Sequence, residues 1–506
     1  MPTEQITYCH WHLSYRPLVV HDSRFTNATF LRTRRVTFTF QFGPVTRARR
    51  LRRNFPLAQR LRNSQVTAAK SKNNLCLLGM KGRKAMGWVI AGSVICTAML
   101  VIVVLNFVPP EKKLTRQLVH DYGIAHPQFK RELSSLLGPT ILHGNRIENL
   151  HNGREIFPAM LSAIATATRS ITFETYIYWS GDIGRTFANA LAQRAQAGVR
   201  VHVLLDWVGS VKMDVALLAL MQDAGVEVER YHPLQWYHMA RMNNRTHRKV
   251  LVVDGRVGFT GGVGIAEQWN GDAEDPDHWR DEHFRFEGPV VAQAQAVFMD
   301  NWIKVTGAVL RGDAYFPALA PVANVDAQMF SSSPSGGSES MALLYLMAIT
   351  AAERSIDLSA AYFIPDHLTQ PALLAASQRG VVVRIIVPGK YMDADSVRMA
   401  SRAQWEPLLQ AGALIHEFAP TMFHCKILIV DSLLVSVGST NFDNRSFSLN
   451  DEASLNLIDS EFAKKMTAIF EDDLRRSKLI TLAAWRKRPT SEKLRELMVR
   501  PWSSQL

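Results

Sequence analysis

One short pattern occurs twice in the chain. His247-Arg248-Lys249-Val250-Leu251-Val252-Val253-Asp254 is matched by His424-Cys425-Lys426-Ile427-Leu428-Ile429-Val430-Asp431. In each copy a histidine and a lysine at i and i+2 lead into a β-branched apolar run, the pattern of a buried strand. Side chains at i and i+2 share one face of a strand, so each copy sets an imidazole beside a cation. Such a pair suits a phosphate: the lysine attracts the anion, and an imidazole attacks phosphorus or moves a proton. Small residues follow both histidines at the same spacing, Gly261-Gly262 in the first copy and Gly438-Ser439 in the second. They allow close approach of backbone to a ligand, and Ser439 adds a hydroxyl.

The duplication extends beyond the motif. Arg169-Ser170-Ile171 is echoed by Arg354-Ser355-Ile356, Gly198-Val199 by Gly380-Val381, and Ala224-Gly225 by Ala411-Gly412. The offset between echoes is nearly constant and close to that between the motifs, which predicts two copies of one domain. Each copy alternates strands with helices, which predicts an α/β fold with a mixed sheet flanked by helices. The first lobe is expected over 144–310 and the second over 341–506, with a linker over 311–340 containing Ser331-Ser332-Ser333-Pro334-Ser335-Gly336-Gly337. A pseudo-two-fold axis between the lobes would bring both motifs into one cleft.

The chain resembles the phospholipase D superfamily with two such motifs, and within it the bacterial cardiolipin synthases. The resemblance spans roughly residues 140 to 506. It is carried by both motifs, by Gly438-Ser439-Thr440-Asn441-Phe442-Asp443-Asn444-Arg445-Ser446-Phe447 with Asn450 and Glu452, by Ala361-Tyr362-Phe363-Ile364-Pro365-Asp366 and by Trp279-Arg280-Asp281. It implies a two-step exchange. One histidine attacks a phosphodiester while the other protonates the departing alcohol. The second histidine then deprotonates an acceptor hydroxyl, which releases the phosphohistidine. His247 is preferred here as nucleophile and His424 as acid and base. Lys249, Lys426, Gly261, Gly262, Ser439 and Asn441 are expected around the phosphate. Gly264 stands where the second half has Asn441, so the first half departs from the family pattern.

A reactive imidazole needs an acceptor on its other ring nitrogen. Asp281 follows His247, and Glu452 follows His424 at a comparable spacing. The resemblance gives an acid in this region the orienting role, and each is expected to serve its own half. Asp254 and Asp431 belong to the motifs and are read as structural, fixing the neighbouring loop. The chemistry implies no cofactor, and the four cysteines have neither paired nor metal-ligand spacing. Cys425 reads as a small core residue.

Net charge is +13, but the surplus is confined to residues 1–84, which are rich in Lys and Arg and nearly free of Asp and Glu. The remainder is close to neutral, which argues against a nucleic-acid partner. Residues 1–79 form an Arg-rich leader without periodicity, and Met80 is read as the start of the natural protein. The run from Met86 to Val108 carries no charge and is long enough to span a bilayer once. A juxtamembrane connector follows over 109–143. The cations before the span favour an inner-membrane protein with its N-terminus inside, while the side of the catalytic region stays open. Trp236-Tyr237 and the residues up to Met242 suit a membrane interface or an ordinary core loop. The expected substrate is phosphatidylglycerol, with cardiolipin and glycerol as products. A phospholipase D, another phosphatidyl exchange enzyme, a nuclease and a lipid-binding scaffold are the alternatives.

Overall fold

The computed structural model describes residues 88–102, 114–231, 244–334 and 339–499. The leader over 1–79 and the Trp236–Met242 stretch lie outside these residues, as do both ends of the expected 86–108 span. Residues 88–102 are helical, with Trp88, Val94 and Leu100 exposed. Among the described residues no helix is long and apolar enough to cross a membrane.

The first lobe contributes β1 (Leu142–His151), β2 (Ser170–Thr175), β3 (Arg200–Asp206), β4 (Glu227–Tyr231), β5 (Val250–Val253), β6 (Val257–Gly261) and β7 (Glu282–Glu287). The second contributes β8 (Val325–Ser332), β9 (Ser355–Ala360), β10 (Phe363–Ile364), β11 (Val382–Pro388), β12 (Leu414–Phe418), β13 (Lys426–Val430), β14 (Leu434–Gly438), β15 (Phe442–Asp443), β16 (Glu452–Ile458) and β17 (Ser477–Ile480). Fifteen of these make one continuous sheet, while β10 and β15 pair separately. Outward from the centre the first lobe runs β1, β7, β6, β5, β2, β3, β4. The second runs β8, β16, β14, β13, β9, β11, β12, with β17 added at its edge. The positions correspond one to one, so the lobes are two halves of one mixed sheet related by a pseudo-two-fold.

The join is antiparallel, Leu142 opposite Ala327 and Asn145 opposite Val325, with an irregularity between them. The buried Asn145 amide fills that gap. It donates to the carbonyls of Leu142 (2.7 Å) and Val325 (3.1 Å) and accepts from Val290 N–H (2.8 Å), where helix Val290–Thr306 begins. A bulged ladder leaves backbone groups unpaired, and a side-chain amide can satisfy both kinds.

Alternation along the motif strands explains their unbroken apolar runs. Leu251 and Val253 enter the core beneath helices Asn152–Ala165 and Asp182–Gln196. Leu428 and Val430 enter the equivalent core beneath Ser340–Thr350 and Thr369–Gln378. Val250, Val252, Ile427 and Ile429 point the other way, into one cluster shared by both lobes. Phe462, Met466 and Phe470 of helix Ser460–Arg475 and Val290 to Val297 close that face. Strands covered on both sides need no polar alternation.

Each motif strand ends in an aspartate at positive φ, +53° for Asp254 and +54° for Asp431. Asp431 accepts from the backbone N–H groups of Glu353 (2.9 Å), Arg354 (2.7 Å) and Ser355 (2.9 Å), at the start of β9. Asp254 does the same for Thr168, Arg169 and Ser170 ahead of β2. These carboxylates therefore tie neighbouring strands together at the end away from the histidines. Asp431→Ala is expected to cost about 3 kcal/mol of stability, since it strands three donors. Urea unfolding measures this; unchanged stability with lost activity would move Asp431 into the chemistry.

Candidate active site

The two motif histidines meet where the lobes exchange backbone. Arg280 N–H donates to Met422 C=O (2.9 Å), and His424 N–H donates to Arg280 C=O (2.8 Å). Asp451 N–H donates to Arg245 C=O (2.8 Å), and His247 N–H donates to Asp451 C=O (2.9 Å). Each parallel bridge delivers the next residue to the opposite lobe. Asp281 thus lies 2.7 Å from His424 Nδ1, and both Glu452 oxygens lie 3.1 Å from His247 Nδ1. The pairing expected within each half is therefore crossed. The cause is topological: β7 and β16 lie near the centre of the sheet, so the segments entering them border the other lobe.

The carboxylates have unlike supports. Asp281 accepts from the Trp269 indole N–H (2.9 Å) and from Glu282 N–H (2.9 Å). Glu452 accepts from the Ser439 hydroxyl and from the Asn450 amide (3.2 Å). Gly261, Gly262 and Ser439, expected around the phosphate, are placed behind these acids instead. A Cβ on Gly262 would stand 2.2 Å from Asp281 Oδ1, so glycine there makes room for the carboxylate. Asn441 does line the cleft, and its Oδ1 has no hydrogen-bond partner among the described residues. At Gly264 a Cβ would lie 2.8 Å from Ile177 and 3.1 Å from the Trp269 ring, leaving no space for an asparagine.

Both lysines are buried and donate back to the motif, Lys249 Nζ to His247 C=O (2.8 Å) and Lys426 Nζ to His424 C=O (2.7 Å). Lys426 Nζ also lies within 3.1 Å of both His424 ring nitrogens. Burial, then neighbouring charge, governs ionisation here. His247 is pulled down to about 4 by burial and by Lys249, against the opposing pull of Glu452. Burial, Lys426 and Lys249 hold His424 well below its ordinary value. Lys249 is drawn to about 7 by burial and by Lys426. Burial pushes Glu452 up, but His247, Lys249 and Ser439 together hold it below the usual range. Burial raises Asp281. Both imidazoles are therefore neutral. Each gives its Nδ1 proton to a carboxylate, which leaves the lone pair on Nε2.

That cleft, about 320 Å³, is lined by both histidines and Lys249 together with Tyr176, Trp279, Arg245 and Arg445. The Tyr176 ring meets His247 edge-on at 5.1 Å, while Trp269 and Trp279 meet His424 at 5.3 and 5.5 Å. Sequence reasoning gave Tyr176 and Arg245 no role. Arg245 had a readable signal, since it stands at i−2 from His247 on an extended segment. Asp254 and Asp431 lie outside the cleft, and Cys425 is buried in the shared core. Facing imidazoles, oriented carboxylates and buried ammonium groups suit in-line displacement at a phosphodiester.

Residues 160–274 and 345–474 match the family described as cardiolipin synthase, PLD-like domain. The chain is 33% identical over 365 residues to a probable cardiolipin synthase, YwiE, of Bacillus subtilis, covering 72% of each chain. It is 35% identical over 354 residues to the cardiolipin synthase of a Geobacillus strain, covering 69% of this chain and 70% of that one. Among solved structures, the phosphatidylserine synthase of Haemophilus influenzae shares the fold at a TM-score of 0.58 and 15% identity. That alignment covers 75% of this chain and all of the other.

The crossed pairing has a direct spectroscopic test. With ¹⁵N-labelled histidines at neutral pH, Glu452→Gln is expected to disturb the fixed Nδ1–H tautomer of His247 and leave that of His424. Asp281→Asn is expected to do the reverse. Activity of either variant should fall by about two to four orders of magnitude, as when a general base loses its orienting acid. A response confined to the histidine of the same half would overturn the crossing.

Proposed function

The chain belongs to the cardiolipin synthase family of phospholipase D-like enzymes, and from that membership and its site we propose that it makes cardiolipin from two phosphatidylglycerol molecules, releasing glycerol. The observation that carries this reading is the pair of carboxylate-oriented histidines converging on one cleft with a buried lysine at each.

Nε2 of one histidine attacks phosphorus, and the P–O bond to glycerol breaks. The second histidine gives its proton to the departing glycerol oxygen. It starts neutral, so it must gain a proton as substrate enters. The phosphodiester anion favours this, because it offsets the lysine charges that disfavour a protonated imidazole. Lys249 and Lys426 share the negative charge that builds on the non-bridging oxygens, and Asn441 adds an amide donor. The hydroxyl of a second phosphatidylglycerol then yields its proton to the second histidine. Its oxygen attacks phosphorus, and the P–N bond breaks. One phosphodiester is exchanged for another, so no nucleotide is needed. We assign His247, Lys249, His424 and Lys426 to the reacting phosphate, Asp281 and Glu452 to orientation, and Asp254 and Asp431 to the motif frame.

Purified protein given phosphatidylglycerol alone should form cardiolipin and an equal amount of glycerol, detected by mass spectrometry. Lys249→Ala should form neither. Phosphatidic acid without cardiolipin would make the enzyme a hydrolase.

We also propose that residues 86–108 anchor the protein once in the inner membrane, with 109–143 as connector to the lobes, the second of which opens with β8 inside the stretch expected as a 311–340 linker. The uncharged run and the exposed apolar side chains of the 88–102 helix support this. The near-neutral charge of the remaining chain favours a lipid over a nucleic acid. Native protein in membranes should resist carbonate extraction, and deletion of 86–108 should release it. Extraction of the full chain by carbonate would overturn the anchor.

A further inference from the structure

The pseudo-two-fold relates the His247 side of the site to the His424 side, position by position. Arg245 corresponds to Met422, since each gives its carbonyl to the bridge residue of the other lobe, Asp451 or Arg280. Arg445 corresponds to Gln268. Asn450 N–H donates to Arg445 C=O (3.0 Å), and Trp279 N–H, at the equivalent place, donates to Gln268 C=O (2.6 Å). The end beside His247 therefore carries two guanidinium groups. On the His424 side the equivalent positions are a methionine and a glutamine, neither of which lines the cleft, and the rings of Trp269 and Trp279 stand there instead.

We propose that Arg245 and Arg445 form a second phosphate subsite, which holds the phosphate of the acceptor lipid while its glycerol hydroxyl reaches the reacting phosphorus. This deepens the synthase reading and rests on it. Two phosphatidylglycerol molecules bring two anionic phosphates into one cleft. The lysines serve the reacting one, held to the motifs through their own histidine carbonyls. The acceptor phosphate, a glycerol away, needs a separate counter-charge, and a guanidinium fork fits a phosphate in bidentate fashion.

The surroundings agree with this use. Both arginines line the cleft with the histidines. Burial, and then Arg245 nearby, lowers the pKa of Arg445, so two like charges are held close together. An entering anion relieves that repulsion. Carboxylates lie near both arginines, Asp206 by Arg245 and Asp443 by Arg445, and each also bonds to the fold. Asp206 accepts from the N–H groups of Val208 (2.9 Å), Gly209 (3.0 Å) and Thr246 (3.0 Å). Asp443 accepts from Ser446 N–H (2.7 Å), Asp393 from the Tyr362 hydroxyl (2.6 Å), and Glu452 serves His247.

The test is a competition between acceptors. Full-length wild-type protein, Arg245→Gln, Arg445→Gln and the double variant are given phosphatidylglycerol vesicles with ethanol as a neutral acceptor. Cardiolipin and phosphatidylethanol are measured in the same tube. Both products share the donor and the first step, and only one acceptor carries a phosphate. The ratio of cardiolipin to phosphatidylethanol should fall about tenfold in each single variant, the equivalent of one good charged contact. Phosphatidylethanol formation should stay within about twofold, which also shows that the variants fold. An unchanged ratio would overturn the subsite, and so would an equal loss of both products. A wild type that makes phosphatidylethanol but no cardiolipin would instead sink the synthase reading, and the subsite with it.

Discussion

Everything at this site depends on two hydrogen bonds that run between the lobes, His247 to Glu452 and His424 to Asp281. Neither lobe contains a complete histidine–carboxylate pair. Each supplies an imidazole and a lysine for itself and a carboxylate for the other. Both carboxylates are almost wholly buried, where an unpaired charge would cost several kcal/mol. Their partners therefore have to arrive with the fold, and the continuous sheet ensures it. The β1–β8 join fixes the lobes in register, and the shared apolar cluster beneath the motif strands resists their separation. A sheet broken at its centre would leave two buried acids and two unoriented rings.

Near-symmetry of the frame is combined with asymmetry of support. Glu452 rests on a hydroxyl and an amide, while Asp281 rests on an indole N–H and a backbone N–H. The residue between histidine and lysine differs as well. Cys425 is a core side chain, whereas Arg248 crosses to the carbonyls of Ser332 (3.2 Å) and Glu452 (3.3 Å) and to Asp300 (2.9 Å). Such differences fit a reaction in which two imidazoles do different work. One must form a bond to phosphorus and the other must gain and lose a proton, so identical surroundings would serve neither well.

The duplicated motif, the repeat offsets and the apolar runs carried most of the fold into view, because strand alternation and burial are local properties. Which lobe an acid serves is not local. It depends on strand order, and the spacing of Asp281 and Glu452 from the histidines is silent about that. Gly262 was misread for a related reason: a small residue signals close approach without saying what approaches, and here it is the carboxylate of Asp281. Ser439 followed it, since its hydroxyl suits a phosphate or an acid equally. The arginines at 245 and 445 stayed hidden among many basic residues until the pseudo-two-fold showed that their counterparts are uncharged.

The electrostatics join these features into a single device. Burial discourages charge on all four motif side chains, so the cleft sets neutral imidazoles beside lysines drawn towards neutrality. An anionic phosphodiester opposes these shifts through its charge, favouring charged lysines and one protonated histidine. In the proposed reaction the substrate thus produces the protonation state that the chemistry needs. Water brings no charge and cannot have this effect before the anion is in place. Once the phosphohistidine has formed, water and lipid hydroxyls compete for the same phosphorus. A hydroxyl tethered by its own phosphate then has the advantage of proximity, worth far more than the small difference in nucleophilicity between two alcohol-like oxygens.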